Sequence, residues 1–330
     1  MDGILERRNC TVETGLISFF LICDSGVALT RGAGDSMKTG IIGAGKVGCT
    51  LGKFLSLGQV PVTGFYSRNR ESAKAAAEFT DSQFFETIKQ LVAESDAIFI
   101  TVPDQAISEV YGQICAYEIQ NKFIGHCSGA LAAEEVFADI ETRGAHGFSI
   151  HPLFPVSTKY ETYRELSGAF FCTEGDSQAL SYYENVLKAQ GAKVFRLAPE
   201  EKVRYHAACV MASNFMCALM QESLNLLKQC GFEEAMALQA LAPLARANLN
   251  HLLASSPQEA LTGPVERGDA GTIKKHLAAL MPAEQELYRV LTRRLISIAE
   301  KKHPQEDYGA IRQLIEGGGT DAEMMKGKKT

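Results

Sequence analysis

Residues 40–48 read Gly40-Ile41-Ile42-Gly43-Ala44-Gly45-Lys46-Val47-Gly48, and this stretch decides the fold. A short apolar run meets three glycines in the spacing G-x-G-x-x-G, and a helical pattern follows at once. That strand, turn and helix context turns a common glycine spacing into a dinucleotide-binding loop. Gly43 allows the tight turn, Gly45 lets backbone approach a pyrophosphate, and Gly48 lets the helix pack closely on the strand. Ala44, Lys46 and Val47 complete the loop. The helix opening near Lys46 points unpaired N–H groups and its positive dipole end toward phosphate oxygens.

Around this loop the chain alternates. Apolar runs at 40–42, 60–66, 97–102 and 123–126 are each followed by a helical stretch, at 47–57, 71–79, 105–117 and 130–140. Such alternation predicts βαβ units, hence an α/β fold with a mostly parallel sheet covered by helices. Further strands are predicted at 147–150, 169–173 and 193–197, with a helix at 178–190. After Pro199 the strand signals stop, and helices are predicted at 202–228, 232–254, 271–280 and 283–301. The expected organisation is a poorly ordered extension over 1–36, a dinucleotide-binding domain over 37–198, an all-helical domain over 199–303 and a tail over 304–330. The tail, with Gly317-Gly318-Gly319 and Lys326-Gly327-Lys328-Lys329, has little to pack and is expected to fray.

NAD enzymes place Asp or Glu about 20 residues past the glycine loop to hold the ribose 2′-hydroxyl. Here that place holds Tyr66-Ser67-Arg68-Asn69-Arg70. A hydroxyl on Ser67 and a guanidinium on Arg68 suit a 2′-phosphate, so the cofactor predicted is NADP(H). The alternative is that Arg68 and Arg70 are solvated at a helix start. Where strand 97–102 ends, Thr101-Val102-Pro103-Asp104 offers Val102 and Pro103 to the dinucleotide. An ordinary turn capped by Asp104 reads equally well.

The totals narrow the partners. The 330 residues carry 33 Lys and Arg against 39 Asp and Glu, a net charge of −6, and no basic stripe with interleaved aromatics, which argues against nucleic acid. Nine scattered cysteines without a C-x-x-C pair read as reduced, small hydrophobes. No metal site is expected, and the location expected is cytoplasmic. The run LISFFLIC at 16–23 is too short to span a bilayer and lacks an A-x-A cleavage site, so no membrane association is expected.

His126-Cys127-Ser128-Gly129 and His151-Pro152-Leu153-Phe154-Pro155 each follow a predicted strand, at the carboxyl edge where such sheets bind ligands. Ser128 and His151 are therefore candidates to line a substrate pocket, although a strand-end histidine serves structure as readily. No base stands beside Cys127 in sequence to mark it as a nucleophile.

On the long helix after Pro199, Lys202, His206, Cys209 and Ser213 fall within about 40° of one face, with Asn214 roughly 80° from His206. Ketone reduction needs a group that protonates the oxygen as hydride arrives. His206 is the first candidate and Lys202 the second. The alternative is a solvated Lys202 and a His206 hydrogen-bonded within the fold. Ser213 and Asn214, set in the apolar stretch ACVMASNFMCALM, call for polar partners and favour the functional reading. Finally, Leu261-Thr262-Gly263-Pro264-Val265-Glu266-Arg267-Gly268-Asp269 interrupts the helices. Thr262 and the Gly263 N–H can face an oxygen there, and Arg267 can hold a carboxylate. Otherwise this is an interhelical turn with a weak Arg267–Asp269 surface pair.

GIIGAGKVG, HCSGAL from His126, HPLFPVS from His151, YHAACVMASNF from Tyr205 and LTGPVERGD from Leu261 together resemble one family. Over roughly residues 38–303 the chain is similar to bacterial Rossmann-like proteins with the DUF2520 domain, grouped with NADP oxidoreductases and pyrroline-5-carboxylate reductases. The resemblance implies a Rossmann domain, a helical domain that pairs subunits into a homodimer, and NADP bound between them. It also implies that His206, Asn214, Thr262, Gly263 and Arg267 face the nicotinamide. Some relatives resemble an alternative ketopantoate reductase, which makes a small 2-oxo acid the expected substrate and a CH–OH group the expected product. Ketopantoate and β-hydroxyacid enzymes carry Lys and Asn four apart on the corresponding helix. Here Lys202 and His206 stand at that spacing. Pyrroline-5-carboxylate reductases carry a hydroxyl-rich glycine loop, of which Thr262 alone remains. Imine reduction and a non-catalytic NADP sensor are the alternatives.

Overall fold

Thr39–Ile42 forms the central strand β1, and all four residues are buried because strands flank it on both sides and helices cover both faces. The computed structural model describes residues 36–317. The apolar run at 16–23, the rest of the expected N-terminal extension up to residue 35, and the chain beyond 317 lie outside the described residues.

Seven more strands join β1: β2 Val62–Tyr66, β3 Gln83–Phe84, β4 Ala97–Ile100, β5 Phe123–His126, β6 His146–Leu153, β7 Phe170–Gly175 and β8 Lys193–Arg196. Their order is β3-β2-β1-β4-β5-β6-β7-β8. Strands β1 to β6 are parallel, β7 runs against β6, and β8 is parallel to β7. The helices are α1 Lys46–Leu57, α2 Arg70–Thr80, α3 Ile88–Glu94, α4 Ile107–Ile114, α5 Ala133–Val136 and α6 Ser177–Ala189. Strand alternation builds two cores, one on each face. On β4, Ala97 and Phe99 enter the core shared with Phe54, Phe148 and Tyr183, while Ile98 and Ile100 enter that shared with Leu91 and Ile107. Each fully buried Ile, Leu or Phe among them stabilises the fold by roughly 1.5–3 kcal/mol.

The expected α/β architecture is present, with local differences. The short elements β3 and α3 lie in a stretch for which no element was predicted. Strand β6 runs on to Leu153, past the strand expected at 147–150, because its pairing with β7 continues to Leu153↔Phe170 after pairing with β5 stops at His126↔Ser149. His151 and Pro152 therefore lie within the strand. Pro152, beyond the last β5 partner, removes no bond from that ladder. Helix α5 spans four residues, shorter than the helix expected at 130–140, and the turn after it closes at Gly144 with φ 66.

The chain divides into two units, ending at Glu200 and beginning at Glu201. The second holds α7 Lys202–Ala212, α8 Asn214–Gln229, α9 Glu234–Ala254, α10 Pro257–Ala260, α11 Ala270–Ala279, α12 Pro282–Lys302 and α13 Gly309–Glu316. The single helix expected over 202–228 is two, broken at Ser213 with φ −124 and ψ −71. The Ser213 hydroxyl donates back to Cys209 O at 2.7 Å, a bond that competes with the helical ladder and bends it. The fraying expected from residue 304 is also corrected as far as residue 317. Tyr308, Ile311 and Ile315 recur at helical spacing and bury against Ile273, Leu277, Ile296 and Ala299 as part of the core of this unit.

Truncating Ile311 or Ile315 to alanine is expected to cost about 2–5 kcal/mol in urea unfolding of this unit. A cost below about 0.5 kcal/mol, the level of an ordinary surface substitution, would return residues 309–316 to a loosely held tail.

Candidate active site

The glycine loop is built around Thr101 at the end of β4. Its hydroxyl donates to Gly43 O at 2.9 Å, and its N–H reaches Ile42 O at 2.8 Å. Gly43 has φ +114, and a Cβ there would sit 2.8 Å from Thr101 O. A Cβ on Gly48 would sit 2.1 Å from Gly43 O and 2.5 Å from Thr101 Oγ1. A Cβ on Gly45 would meet nothing within 4 Å. The fold itself thus requires Gly43 and Gly48, whereas Gly45 leaves open space at the mouth of α1. Helix α1 has no side-chain cap and no acid in its first turn. Its positive end is left for an external anion.

Ala44 is buried behind the turn, Lys46 is exposed and Val47 is half-buried. A cleft opens over the loop, lined by Gly43, Ala44, Gly45, Ser67, Arg68, Val102 and Pro103. It lies where the strand order reverses, between β1 and β4. Ile88 of α3 and Ala106, Glu109, Val110 and Gln113, in and just before α4, complete it. Sequence reasoning missed these residues, although 106, 109, 110 and 113 share one helical face.

The two arginines after β2 separate. Arg70 pairs with Glu86 and lies over the Phe84 ring, 5.9 Å from its centre. Arg68 lines the cleft and forms no salt bridge among the described residues. Asn69 between them caps α2, accepting from Ser72 N at 2.9 Å.

At the ends of β4 and β5 the Ser128 hydroxyl is committed within the protein. It donates to Asp104 at 2.7 Å and accepts from Ala130 N and Leu131 N. Ser128 N donates to His126 Nδ1 at 3.1 Å, so a neutral His126 carries its proton on Nε2. His126 and Ser128 are buried. His151, half-buried on β6, stands opposite Cys172 in the ladder.

In the helical unit Lys202 is 3% exposed, which overturns the solvated alternative. His206 and Cys209 follow on α7, both half-buried. Ser213 and Asn214 are exposed and lie at and beyond the break, so the expectation that Ser213 shares their helical face is corrected. In the 261–269 loop Thr262 and Arg267 are exposed, and Gly263 has φ +102 with open space around it. The Arg267–Asp269 surface pair does not form. Asp269 instead caps α11, accepting from Thr272 N at 2.9 Å and Thr272 Oγ1 at 2.7 Å, and these bonds hold its carboxyl below the usual range. Arg267 forms no salt bridge among the described residues.

A Rossmann-like domain matches residues 30–152 and DUF2520, a domain of unknown function, matches residues 169–295. The two matches are adjacent along the chain, and the second begins inside the sheet unit, at β7. Among solved structures, protein TM1727 of Thermotoga maritima is 24% identical, with a TM-score of 0.63 over 80% of this chain and 99% of its own. The Bacteroides fragilis protein BF3122, provisionally named an NADP oxidoreductase, is 21% identical, with a TM-score of 0.64 over 79% of this chain and 98% of its own. A reductive aminase of Aspergillus terreus, in complex with NADPH, is 16% identical, with a TM-score of 0.55 over 89% of this chain and 95% of its own. These likenesses establish the fold. No curated protein matches the chain in sequence.

Gly45→Ala is expected to weaken dinucleotide binding at least tenfold, about 1.4 kcal/mol, with the melting temperature unchanged. Gly48→Ala is expected to destabilise the protein by about 1–3 kcal/mol through overpacking. Equal loss of stability in both variants would remove the distinction drawn between the two glycines.

Proposed function

We propose that the protein is an NADPH-dependent oxidoreductase that reduces the carbonyl of a small 2-oxo acid to a CH–OH group, with ketopantoate the specific substrate. The observation that carries this reading is the cleft at the β1–β4 crossover, where Gly45 leaves room for a pyrophosphate and Arg68 has no ion partner among the described residues. Ser67 and Arg68 hold the 2′-phosphate, and the α1 N–H groups hold the pyrophosphate. Solved structures of the same fold support the cofactor, since the reductive aminase is in complex with NADPH and a pyrroline carboxylate reductase of Plasmodium falciparum has NADP bound.

Bound NADPH supplies the hydride to the carbonyl carbon. His206 gives the proton to the oxygen, with Lys202 as the second candidate, and Arg267 holds the carboxylate while Thr262 and the Gly263 N–H bind the carbonyl oxygen. Asn214, Ser213, Ser128 and His151 complete the set of polar candidates. The scattered cysteines, with no disulfide among the described residues, suit a reducing cytoplasm. A second reading, reduction of an imine, is favoured by the reductive aminase likeness. A protonated imine needs less help from an acid. A sensor that binds NADP without turnover is a third.

A second copy of the chain is proposed to cover α7–α9. Across these three helices the buried residues are Lys202 and Ala237, while Met211, Phe215, Met216 and Leu244 stay exposed. Apolar helices of this length bury such a face in a partner.

Purified protein is expected to oxidise NADPH with ketopantoate and to prefer NADPH over NADH, with Arg68→Ala lowering that preference at least tenfold, about 1.4 kcal/mol. Failure on ketopantoate with turnover of a cyclic imine that survives His206→Ala would replace the first reading with the second, and tight NADPH binding without turnover of either would support the sensor. Sedimentation is expected to show a dimer that Phe215→Asp converts to monomer; a monomeric wild type would remove the pairing.

A further inference from the structure

The 261–269 loop is fastened from one side by three residues near the end of α12. Lys302 Nζ donates to Leu261 O at 2.8 Å and lies 3.4 Å from Glu266 Oε1. His303 Nε2 lies 2.8 Å from the same carboxylate oxygen. Tyr308, itself buried, donates through its hydroxyl to Glu266 O at 3.0 Å. The Glu266 side chain is 17% exposed, and Val265 beside it is buried in the core of the unit. The bonds from His303 and Lys302 outweigh burial and hold the Glu266 carboxyl below its usual range, so it stays ionised at neutral pH.

These bonds divide the loop. Leu261, Val265 and Glu266 face the protein and are held there, and Asp269 is held by its cap on α11. Thr262 and Arg267 are exposed, each beside a fastened residue. Arg267 follows Glu266 directly, and its N–H bonds Gly263 O at 3.2 Å, so the turn carrying the guanidinium is the turn that Glu266 anchors. Arg267 feels the Asp269 carboxylate at a distance but forms no salt bridge among the described residues.

We propose that Glu266, clamped by Lys302 and His303, is a positioning residue that presents Arg267 to the carboxylate of the substrate, an assignment that rests on the reading of the function above. Glu266 touches neither substrate nor cofactor. It acts through the orientation of the turn at 263–267, where a misplacement of about 1 Å is enough to weaken a two-point carboxylate contact.

The test compares full-length wild type, Glu266→Gln, Arg267→Ala and the double variant in steady-state kinetics with a 2-oxo acid and with its methyl ester. Glu266→Gln is expected to raise KM for the acid roughly tenfold while kcat stays within about threefold, with the ester and the NADPH Kd unaffected. In the Arg267→Ala background the same change is expected to add less than about twofold, because the two residues act as a unit. Lys302→Met, which opens the clamp from the other side, is expected to repeat the selective rise in KM and guards against a Glu266→Gln protein that fails to fold. Equal losses on acid and ester, an additive double variant, or unchanged discrimination would overturn the assignment while leaving the reductase reading intact. A wild type that turns over no 2-oxo acid would overturn the reductase reading, and this assignment with it.

Discussion

The close contact of α1 with the turn after β1 is the constraint on which the rest depends. Gly48 lies so near Gly43 O and the Thr101 hydroxyl that no side chain fits between them. The Thr101 hydroxyl ties that turn to β4, the strand on the far side of the crossover. Because the two glycines let helix, turn and strand meet this closely, the first N–H groups of α1 open onto the cleft at the carboxyl edge. A larger residue at either glycine would tilt the helix and move its positive end away. The open position at Gly45 has meaning only because the two glycines flanking it are held so tightly.

Charge in both units follows a similar pattern, in which one charged residue is taken up by the fold and a neighbour forms no salt bridge among the described residues. Arg70 is taken by Glu86 and the Phe84 ring, while Arg68, two residues earlier, forms no salt bridge among the described residues. Asp269 is taken by Thr272 as a helix cap, and Glu266 by Lys302 and His303, while Arg267 between them stays open. The Arg70–Glu86 pair is exposed and contributes little stability, so its main effect is to decide which of the two guanidiniums remains available.

The helical unit is packed unevenly, and this bears on its role. Its core gathers Val265, Ile273, Leu277, Ile296, Tyr308, Ile311 and Ile315, all from the part of the chain after residue 260. Helices α7 to α9 contribute almost nothing to it, despite their apolar composition. The segment that fastens the 261–269 loop is therefore the well-packed one, and the segment carrying His206 exposes an apolar face.

The sequence by itself determined what depends on neighbours along the chain. The glycine spacing, the period-two apolar runs and the loss of strand signal after Pro199 are local patterns, and they were enough for the α/β sheet, the helical second half, the crossover cleft and the place of Ser67 and Arg68. What depends on partners far apart in sequence was decided only by the tertiary structure. Strand β6 lengthens to Leu153 because β7 continues to pair with it, and Ser128 is committed because Asp104 lies across the strand ends. Lys202 is buried, where its position on a helix left a solvated side chain open as the alternative, and α13 forms because the core of its unit receives Ile311 and Ile315. The separation of Arg68 from Arg70 is of the same kind, since two adjacent cations read alike until Glu86 is brought beside one of them. Hydrophobic period is a property of a segment, but burial and charge pairing are properties of the assembled fold.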